Sequence, residues 1–124
     1  MNTVLVIDDN GMNRKLACDV LAAAGFRTVE AATAAEGIAR ATEHAPDLIL
    51  LDLRLPDMPG VEVARRLRGD DGTPRIPIVA MSALSLEDDG DWLGSAGFAG
   101  SLEKPIHIDT FPEQVRRFCA QPPA

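Results

Sequence analysis

Five polar side chains that can bind a cation or a phosphoryl group stand where apolar segments of the chain end. They are Asp8, Asp9, Asp52, Ser82 and Lys104. A buried strand that ends in such a residue delivers it to the edge of its sheet where ligands of parallel sheets bind. Three carboxylates, a hydroxyl and an amine on one edge predict a site for a cation and a phosphoryl group.

The segments that carry these residues alternate with helix-like segments along the chain. The predicted strands are Thr3–Asp8, Arg27–Ala31, Leu48–Asp52, Ile76–Met81 and Phe98–Glu103. The predicted helices span about 11–24, 34–44, 60–68, 86–96 and 110–119. The central strands are continuously apolar rather than alternating, which is typical of strands covered by helices on both faces.

The regular alternation of strands and helices predicts an α/β fold with right-handed crossovers. We expect a (βα)5 architecture, in which a doubly wound five-stranded parallel sheet has the flavodoxin-like strand order 2-1-3-4-5. The first and third strands are neighbours in this order, so that Asp8 and Asp9 meet Asp52 at the carboxyl edge. Ser82 and Lys104 would flank them on the fourth and fifth strands.

Local signals support several of the predicted helix ends. Gly25 can end the first helix, and Thr33 with Glu36 three residues later forms a capping box for the second. Asp109 is a suitable N-cap for the last helix. Asp57, which lies between the third strand and the third helix, is interpreted only as a turn residue.

The charge balance of the predicted site favours a bound metal ion. Three crowded carboxylates repel one another unless positive charge lies between them. Lys104 supplies one positive charge, and a hard divalent cation is the natural second. Mg²⁺ prefers carboxylates together with water and phosphate oxygens. An aspartate beside such a cation can attack phosphorus and become an acyl phosphate, with Ser82 and Lys104 as ligands of the phosphoryl group.

Composition and length limit the other classes of function. The 124 residues fit one domain over 1–120, followed by a short Pro-rich tail at 121–124. A net charge of −7 argues against a nucleic-acid or anionic-membrane surface, and no apolar run approaches the ~20 residues that span a bilayer. Cys18 and Cys119 match no metal or redox spacing. We therefore expect a cytoplasmic protein that is a monomer or weak dimer and binds neither nucleic acid nor membrane.

Four motifs together resemble a known signalling family. The motifs are Val6–Asn10, Leu50–Gly60, Met81–Ala83 and Glu103–Pro105. With the intervals that separate Asp52 from Ser82 and Lys104, they resemble the response-regulator receiver domain, the CheY-like module of two-component signalling, over essentially the whole chain. The resemblance implies a switch rather than an enzyme. It would take a phosphoryl group from a histidine kinase or a histidine phosphotransfer protein and then change its binding to a downstream protein.

The resemblance implies roles for the residues at the ends of the first and third strands. Asp52 would accept the phosphoryl group. Asp9 and Asp52 would bind Mg²⁺ directly, together with the backbone carbonyl of Arg54. Asp8 would act on the metal mainly through a water molecule.

On the side of the fourth and fifth strands the match to the family is incomplete. Ser82 resembles the hydroxyl that moves to the phosphoryl group after transfer, and Lys104 resembles the phosphate-binding lysine. The family usually has Tyr or Phe three residues before this lysine, whereas this chain has Ser101 and no tyrosine. An aromatic rotamer at that position therefore cannot report phosphorylation. We expect the output to depend on Ser82 and on the mobility of 85–96.

The resemblance also implies a docking surface for the phosphodonor at the start of the first helix. In the family, this edge of the sheet meets the helices that carry the phosphodonor histidine. The candidate contacts are Asn10, Asn13, Leu16, Pro105 and Ile106. Both asparagines also suit the start of a helix, independently of any partner.

Two other functions stay open from the residues. A haloacid-dehalogenase-type phosphatase also uses an aspartyl nucleophile after an apolar strand, but it expects a second aspartate two residues later, where this chain has Arg54. A flavodoxin-like nucleotide-binding protein needs a glycine-rich phosphate loop, whereas Asp9–Asn13 contains one glycine. Within the receiver interpretation, both a stand-alone protein and a domain of a larger protein fit the sequence.

Overall fold

Within the part of the chain that the structure describes, strands and helices alternate as predicted from Thr3 to Ser82. The computed structural model describes residues 2–69, 76–82, 98–103 and 108–120. Its strands are β1 (Thr3–Ile7), β2 (Arg27–Ala31), β3 (Leu48–Asp52), β4 (Ile78–Ser82) and β5 (Gly100–Glu103). Its helices are α1 (Gly11–Ala23), α2 (Ala34–His44), α3 (Gly60–Gly69) and α4 (Phe111–Ala120). The predicted helix at 86–96 lies outside the described residues.

The five strands form one parallel sheet in the order β2-β1-β3-β4-β5. The predicted order 2-1-3-4-5 is therefore confirmed. Ile7, the last residue of β1, pairs with Ala31 of β2 on one side and with Leu51 of β3 on the other. Because all the strands run in the same direction, their carboxyl ends lie along one edge.

The start of β4 differs from the prediction by two residues. The strand begins at Ile78 rather than Ile76. Pro77 has no N–H to donate, and β4 lies between β3 and β5, where both edges of a strand are paired. Pro77 contributes only its carbonyl, which accepts a 3.0 Å hydrogen bond from the Ile49 N–H.

The core lies in two layers, one on each face of the sheet. Leu5 and Ile7 belong to the layer with α2 and α3, whereas Val4 and Val6 belong to the layer with α1 and α4. Every residue of β3 is buried, including Asp52 at its end. The continuous apolar runs thus correspond to strands covered on both faces, as predicted.

The helix ends follow local capping signals. Gly25 has φ of +98° directly after the first helix, a conformation that favours glycine. Thr33 is the N-cap of α2, and its hydroxyl accepts a 3.2 Å hydrogen bond from the Glu36 N–H. In α4, the carbonyl of Thr110 accepts the first bond of the helix, so that Thr110 occupies the cap position predicted for Asp109.

Candidate functional site

Three carboxylates meet at the carboxyl edge of the sheet, where β1 and β3 are neighbours. Asp8, Asp9 and Asp52 each offer an oxygen, and these oxygens lie within 4.8 Å of one another. Asp8 is fully buried, Asp52 is 6% exposed and Asp9 is exposed. The predicted convergence of these three residues is therefore confirmed. Clustered carboxylate oxygens are the ligand chemistry that Mg²⁺ prefers, so that the donor set fits this ion.

The two buried aspartates are held by the same local contact. Asp8 Oδ1 accepts a 2.9 Å hydrogen bond from the Asn10 N–H, and Asp52 Oδ1 accepts a 2.9 Å bond from the Arg54 N–H. In each case the carboxylate binds the main chain two residues later, as in an Asx turn. These bonds orient both carboxylates before any ligand arrives, which reduces the entropy lost on binding. Asp9, in contrast, is exposed.

Arg14 of α1 supports the loop that carries Asp8 and Asp9. Its Nη1 donates a 2.8 Å hydrogen bond to the carbonyl of Asp8, and its Nε lies 3.1 Å from Glu30 Oε1 on β2. The hydrogen bond to the Asp8 carbonyl is partly buried, whereas the pair with Glu30 is exposed to water. Sequence reasoning missed this residue, because its partners are a main-chain group and a strand residue that only the fold brings near.

The backbone of β4 and β5 places the two serines of the predicted site. Ser82 ends β4, one residue after Met81, which pairs with Asp52. Ser101 lies inside β5 and pairs with Ala80. Ser82 is therefore at the same edge as the carboxylates, and Ser101 is further back in the sheet. Lys104 lies outside the described residues.

Asn10 caps the start of α1, and this end of the helix is exposed. Asn10 Oδ1 accepts hydrogen bonds of 3.0 Å from the N–H groups of Met12 and Asn13, so that the helix-start interpretation of Asn10 is confirmed. Leu16 is 37% exposed and Met12 is 84% exposed. Met12 lies one turn before Leu16 and therefore on the same face of the helix. Pro105 and Ile106 lie outside the described residues.

Asp57 has a role that sequence reasoning did not find. It lies in the loop between β3 and α3, but its carboxylate accepts hydrogen bonds from the first two amides of α2. The Ala34 N–H is 2.8 Å from Oδ1, and the Ala35 N–H is 3.0 Å from Oδ2. These bonds lower the pKa of Asp57. Asp57, which the sequence indicates as a turn residue, thus also makes a tertiary contact with the start of α2.

Comparison with known proteins identifies the family. The family model of the response regulator receiver domain matches residues 4–116 of the sequence. The chain belongs to this family. DivK, a polar-differentiation response regulator, is 34% identical in Brucella anthropi over 116 residues, which cover 94% of each chain. DivK of Brucella ovis is 33% identical over the same share of both chains.

Solved structures of receiver domains share the fold over nearly the whole chain. The chemotaxis protein CheY4 of Vibrio cholerae superposes with a TM-score of 0.89 at 26% identity, covering 95% of this chain and 98% of that one. A putative response regulator of Chloroflexus aurantiacus gives a TM-score of 0.88 at 25% identity, covering 97% and 98%. The CheY-like architecture inferred from the sequence is therefore confirmed.

Membership of the family places the chain in two-component signalling. Receiver domains interact with histidine kinases or phosphotransfer proteins and with downstream effectors, and they are generally not true enzymes. The match favours this interpretation over the phosphatase and the nucleotide-binding alternatives. None of the helices in the described ranges is long and apolar enough to cross a membrane.

Proposed function

We propose that Asp52 of this receiver domain accepts a phosphoryl group from a phosphohistidine of a kinase or phosphotransfer protein. The observation that carries the proposal is the meeting of Asp52 with Asp8 and Asp9 within 4.8 Å at the carboxyl edge of the sheet. In the reaction, a carboxylate oxygen of Asp52 attacks the phosphorus atom. The P–N bond breaks, and its electron pair stays with the imidazole, which then takes up a proton.

The residues around Asp52 fit a Mg²⁺-dependent transfer. Asp9, Asp52 and the backbone carbonyl of Arg54 would hold the ion directly, with Asp8 acting through a water. When bound, Mg²⁺ supplies positive charge that stabilises the oxygens of the phosphoryl group. The buried position of Asp8 and Asp52 keeps their orientation fixed, since both accept main-chain hydrogen bonds. Transfer to a fixed carboxylate avoids the cost of ordering it in the transition state.

Two further residues complete the proposed site on the side of β4 and β5. Ser82 would donate a hydrogen bond to the phosphoryl group, and Lys104 would pair with another of its oxygens. The position of Ser82 at the end of β4, one residue past the partner of Asp52, supports its part. With Ser101 in place of an aromatic residue, the readout would rest on Ser82 and the segment that follows it.

Phosphorylation would act as a switch for partner binding. The phosphoryl group adds about 1.5 to 2 negative charges at the edge of the sheet and shifts the population of surface conformations. Asn10, Asn13 and Leu16, with Pro105 and Ile106, would form the surface that receives the phosphodonor. The domain would cover 1–120 with the tail at 121–124, and would work as a cytoplasmic monomer or weak dimer without nucleic acid or membrane.

Intact-mass measurement after incubation with acetyl phosphate and Mg²⁺ tests the proposal. We expect a gain of one phosphoryl group in the wild type, and none in Asp52→Asn or when a chelator removes the metal. Asp19→Asn is a matched control, because Asp19 lies on α1, pairs with Lys15 and is exposed. It should be phosphorylated like the wild type. A phosphorylated Asp52→Asn variant, or a wild type that takes no group from acetyl phosphate or a phosphohistidine donor, would contradict the proposal.

A further inference from the structure

Asp57 binds the start of α2 from a loop that follows the phosphoacceptor strand. Its two carboxylate oxygens accept the N–H groups of Ala34 and Ala35 at 2.8 and 3.0 Å. The N-cap hydroxyl of Thr33 accepts the next amide, that of Glu36. The open amides of the first turn are thus divided between a local cap and a distant carboxylate. Only the distant one joins two parts of the chain.

The loop that carries Asp57 is closed at its base and held at its tip. At the base, Arg54 and Pro59 form an antiparallel bridge, and the Gly60 N–H donates a 3.1 Å hydrogen bond to the Leu53 carbonyl. Leu55 and Met58, which lie in the loop between Arg54 and Pro59, are partly buried and pack against the core. Asp57 itself is exposed, and its hydrogen bonds to the Ala34 and Ala35 amides add a polar contact between the tip of the loop and α2.

The start of α2 is also connected to the loop that carries the other two carboxylates. Ala31, the last residue of β2, accepts a 3.0 Å hydrogen bond from the Asp8 N–H, and it lies three residues before Ala34. One short stretch of chain therefore supports Asp8 on one side and Asp57 on the other. β2 brings none of the proposed ligands to the site, yet its end connects the two loops that do.

We propose that Asp57 is a positioning residue for the cation site, which it serves by holding the β3–α3 loop on the first turn of α2. This inference rests on the proposed function, since the group that it positions is the Arg54 backbone carbonyl, a proposed metal ligand. Arg54 is the residue at which the bridge to Pro59 closes the loop. Movement of the tip is transmitted to this bridge, because only Leu55–Met58 lies between its two residues.

A simple capping role would give a different result. A cap stabilises α2 and leaves the far loop unchanged, whereas a positioning contact sets the order of that loop and the affinity for the metal. Thr33→Ala provides the matched control, since it removes a cap bond from the same helix turn without touching the β3–α3 loop. Asp57→Asn keeps one of the two acceptor oxygens, and Asp57→Ala removes both.

Two measurements on the intact chain test the inference. Amide hydrogen exchange by NMR, without metal, measures the exchange rate of the Gly60 N–H at the base of the loop. Calorimetric titration with Mg²⁺ alone measures the affinity of the carboxylate site for the ion. We expect Gly60 to exchange about five- to tenfold faster in Asp57→Ala, a factor in the range that the loss of one ordinary hydrogen bond gives. We expect Mg²⁺ to bind about tenfold more weakly. In both measurements, Asp57→Asn should give values between those of the wild type and Asp57→Ala. Thr33→Ala should raise the exchange rate of the Glu36 amide only.

The outcomes separate this inference from the proposed function. Unchanged exchange of Gly60 in Asp57→Ala would overturn the inference, as would a loss of Mg²⁺ affinity in Thr33→Ala equal to that in Asp57→Ala. If the wild type takes up no phosphoryl group, the proposed function fails. If it binds no Mg²⁺, the cation site fails with it, and the exchange of Gly60 still decides whether Asp57 holds the loop.

Discussion

Arg14 Nη1 donates a 2.8 Å hydrogen bond to the backbone carbonyl of Asp8. The same guanidinium pairs through Nε with Glu30 of β2 at 3.1 Å. One side chain of α1 therefore joins the helix, the edge strand and the loop that carries two of the clustered carboxylates. An arginine suits this task, because its planar group can donate in several directions at once.

Replacing Arg14 should destabilise the fold more than replacing its exposed neighbour. We expect Arg14→Met to lower the free energy of unfolding by about 1–2 kcal/mol, because the Asp8 carbonyl and Glu30 both lose a donor. Lys15→Met is the control, since Lys15 and Asp19 form a pair with both side chains exposed. Lys15→Met should change the free energy of unfolding much less than Arg14→Met does, because solvent screens an exposed pair. Urea unfolding followed by circular dichroism measures both values, and equal losses would contradict the prediction.

Neutralising Asp9 should stabilise the metal-free protein and remove its response to Mg²⁺. Asp9→Asn relieves repulsion between carboxylates within 4.8 Å, which amounts to at least about 1 kcal/mol, because Asp9 is exposed but Asp8 and Asp52 are buried. At ten times its dissociation constant, Mg²⁺ should stabilise the wild type by about 1.4 kcal/mol.

Thermal unfolding with and without Mg²⁺ measures the effects of Asp9→Asn. Asp19→Asn makes the same change in net charge away from the site and should keep the full response to the metal. An Asp9→Asn variant that gains as much stability from Mg²⁺ as the wild type would show that Asp9 is not a ligand.

Two glycines of α3 should respond in opposite ways to an added methyl group. A Cβ on Gly60 would lie 2.8 Å from Leu53 Cα and 3.1 Å from the Asp52 carbonyl oxygen. Because main-chain atoms cannot rotate aside, Gly60→Ala should cost about 1–3 kcal/mol. A Cβ on Gly69 meets nothing within 4 Å, and Gly69→Ala should stabilise by about 0.4–1 kcal/mol. Urea midpoints test the pair, and a neutral Gly60→Ala would mean that the β3–α3 loop can shift.

The two cysteines should make the protein less stable in alkaline solution. Burial raises the pKa of the thiols of Cys18 and Cys119 to about 11, from 9.0. The unfolded chain therefore loses these protons first. The contribution of the two protonated thiols to the free energy of unfolding is fully present below pH 9.0. It is lost as the pH rises toward about 11.

A variant without thiols isolates this effect from that of other groups. The variant Cys18→Ala/Cys119→Ala should be less stable than the wild type at neutral pH, because it loses packed volume. The difference in unfolding free energy between the two proteins should narrow at pH above 9.0. A difference that stays constant across this range would contradict the prediction.

Much of the fold is predictable because its signals are local. The unbroken apolar runs before Asp8 and Asp52 indicate covered strands, and the flavodoxin-like strand order makes the two runs neighbours. The meeting of Asp8, Asp9 and Asp52 follows from that topology alone. The two-residue error at the start of β4 has a local cause as well, since Pro77 interrupts a run that is otherwise apolar.

The contacts that support the site are less predictable, because both partners are ordinary residues far apart in the sequence. Nothing near Asp57 distinguishes it from a turn residue, since its donors are amides of Ala34 and Ala35. Arg14 likewise resembles any helical arginine, and its partners become visible only when Glu30 is placed on β2. Such pairs depend on how helices and loops approach one another, which hydrophobic pattern does not encode.

The direction of β1 has a practical consequence for handling the protein. The Asn2 carbonyl accepts the Arg27 N–H, and the Thr3 N–H donates to Asp47 Oδ2 at 2.7 Å, so that the chain is anchored at the amino edge of the sheet. Five residues of strand, each rising about 3.3 Å, put roughly 16 Å between Thr3 and Asp8. A biosensor surface coupled through the amino terminus would therefore leave the carboxylate edge facing the solution.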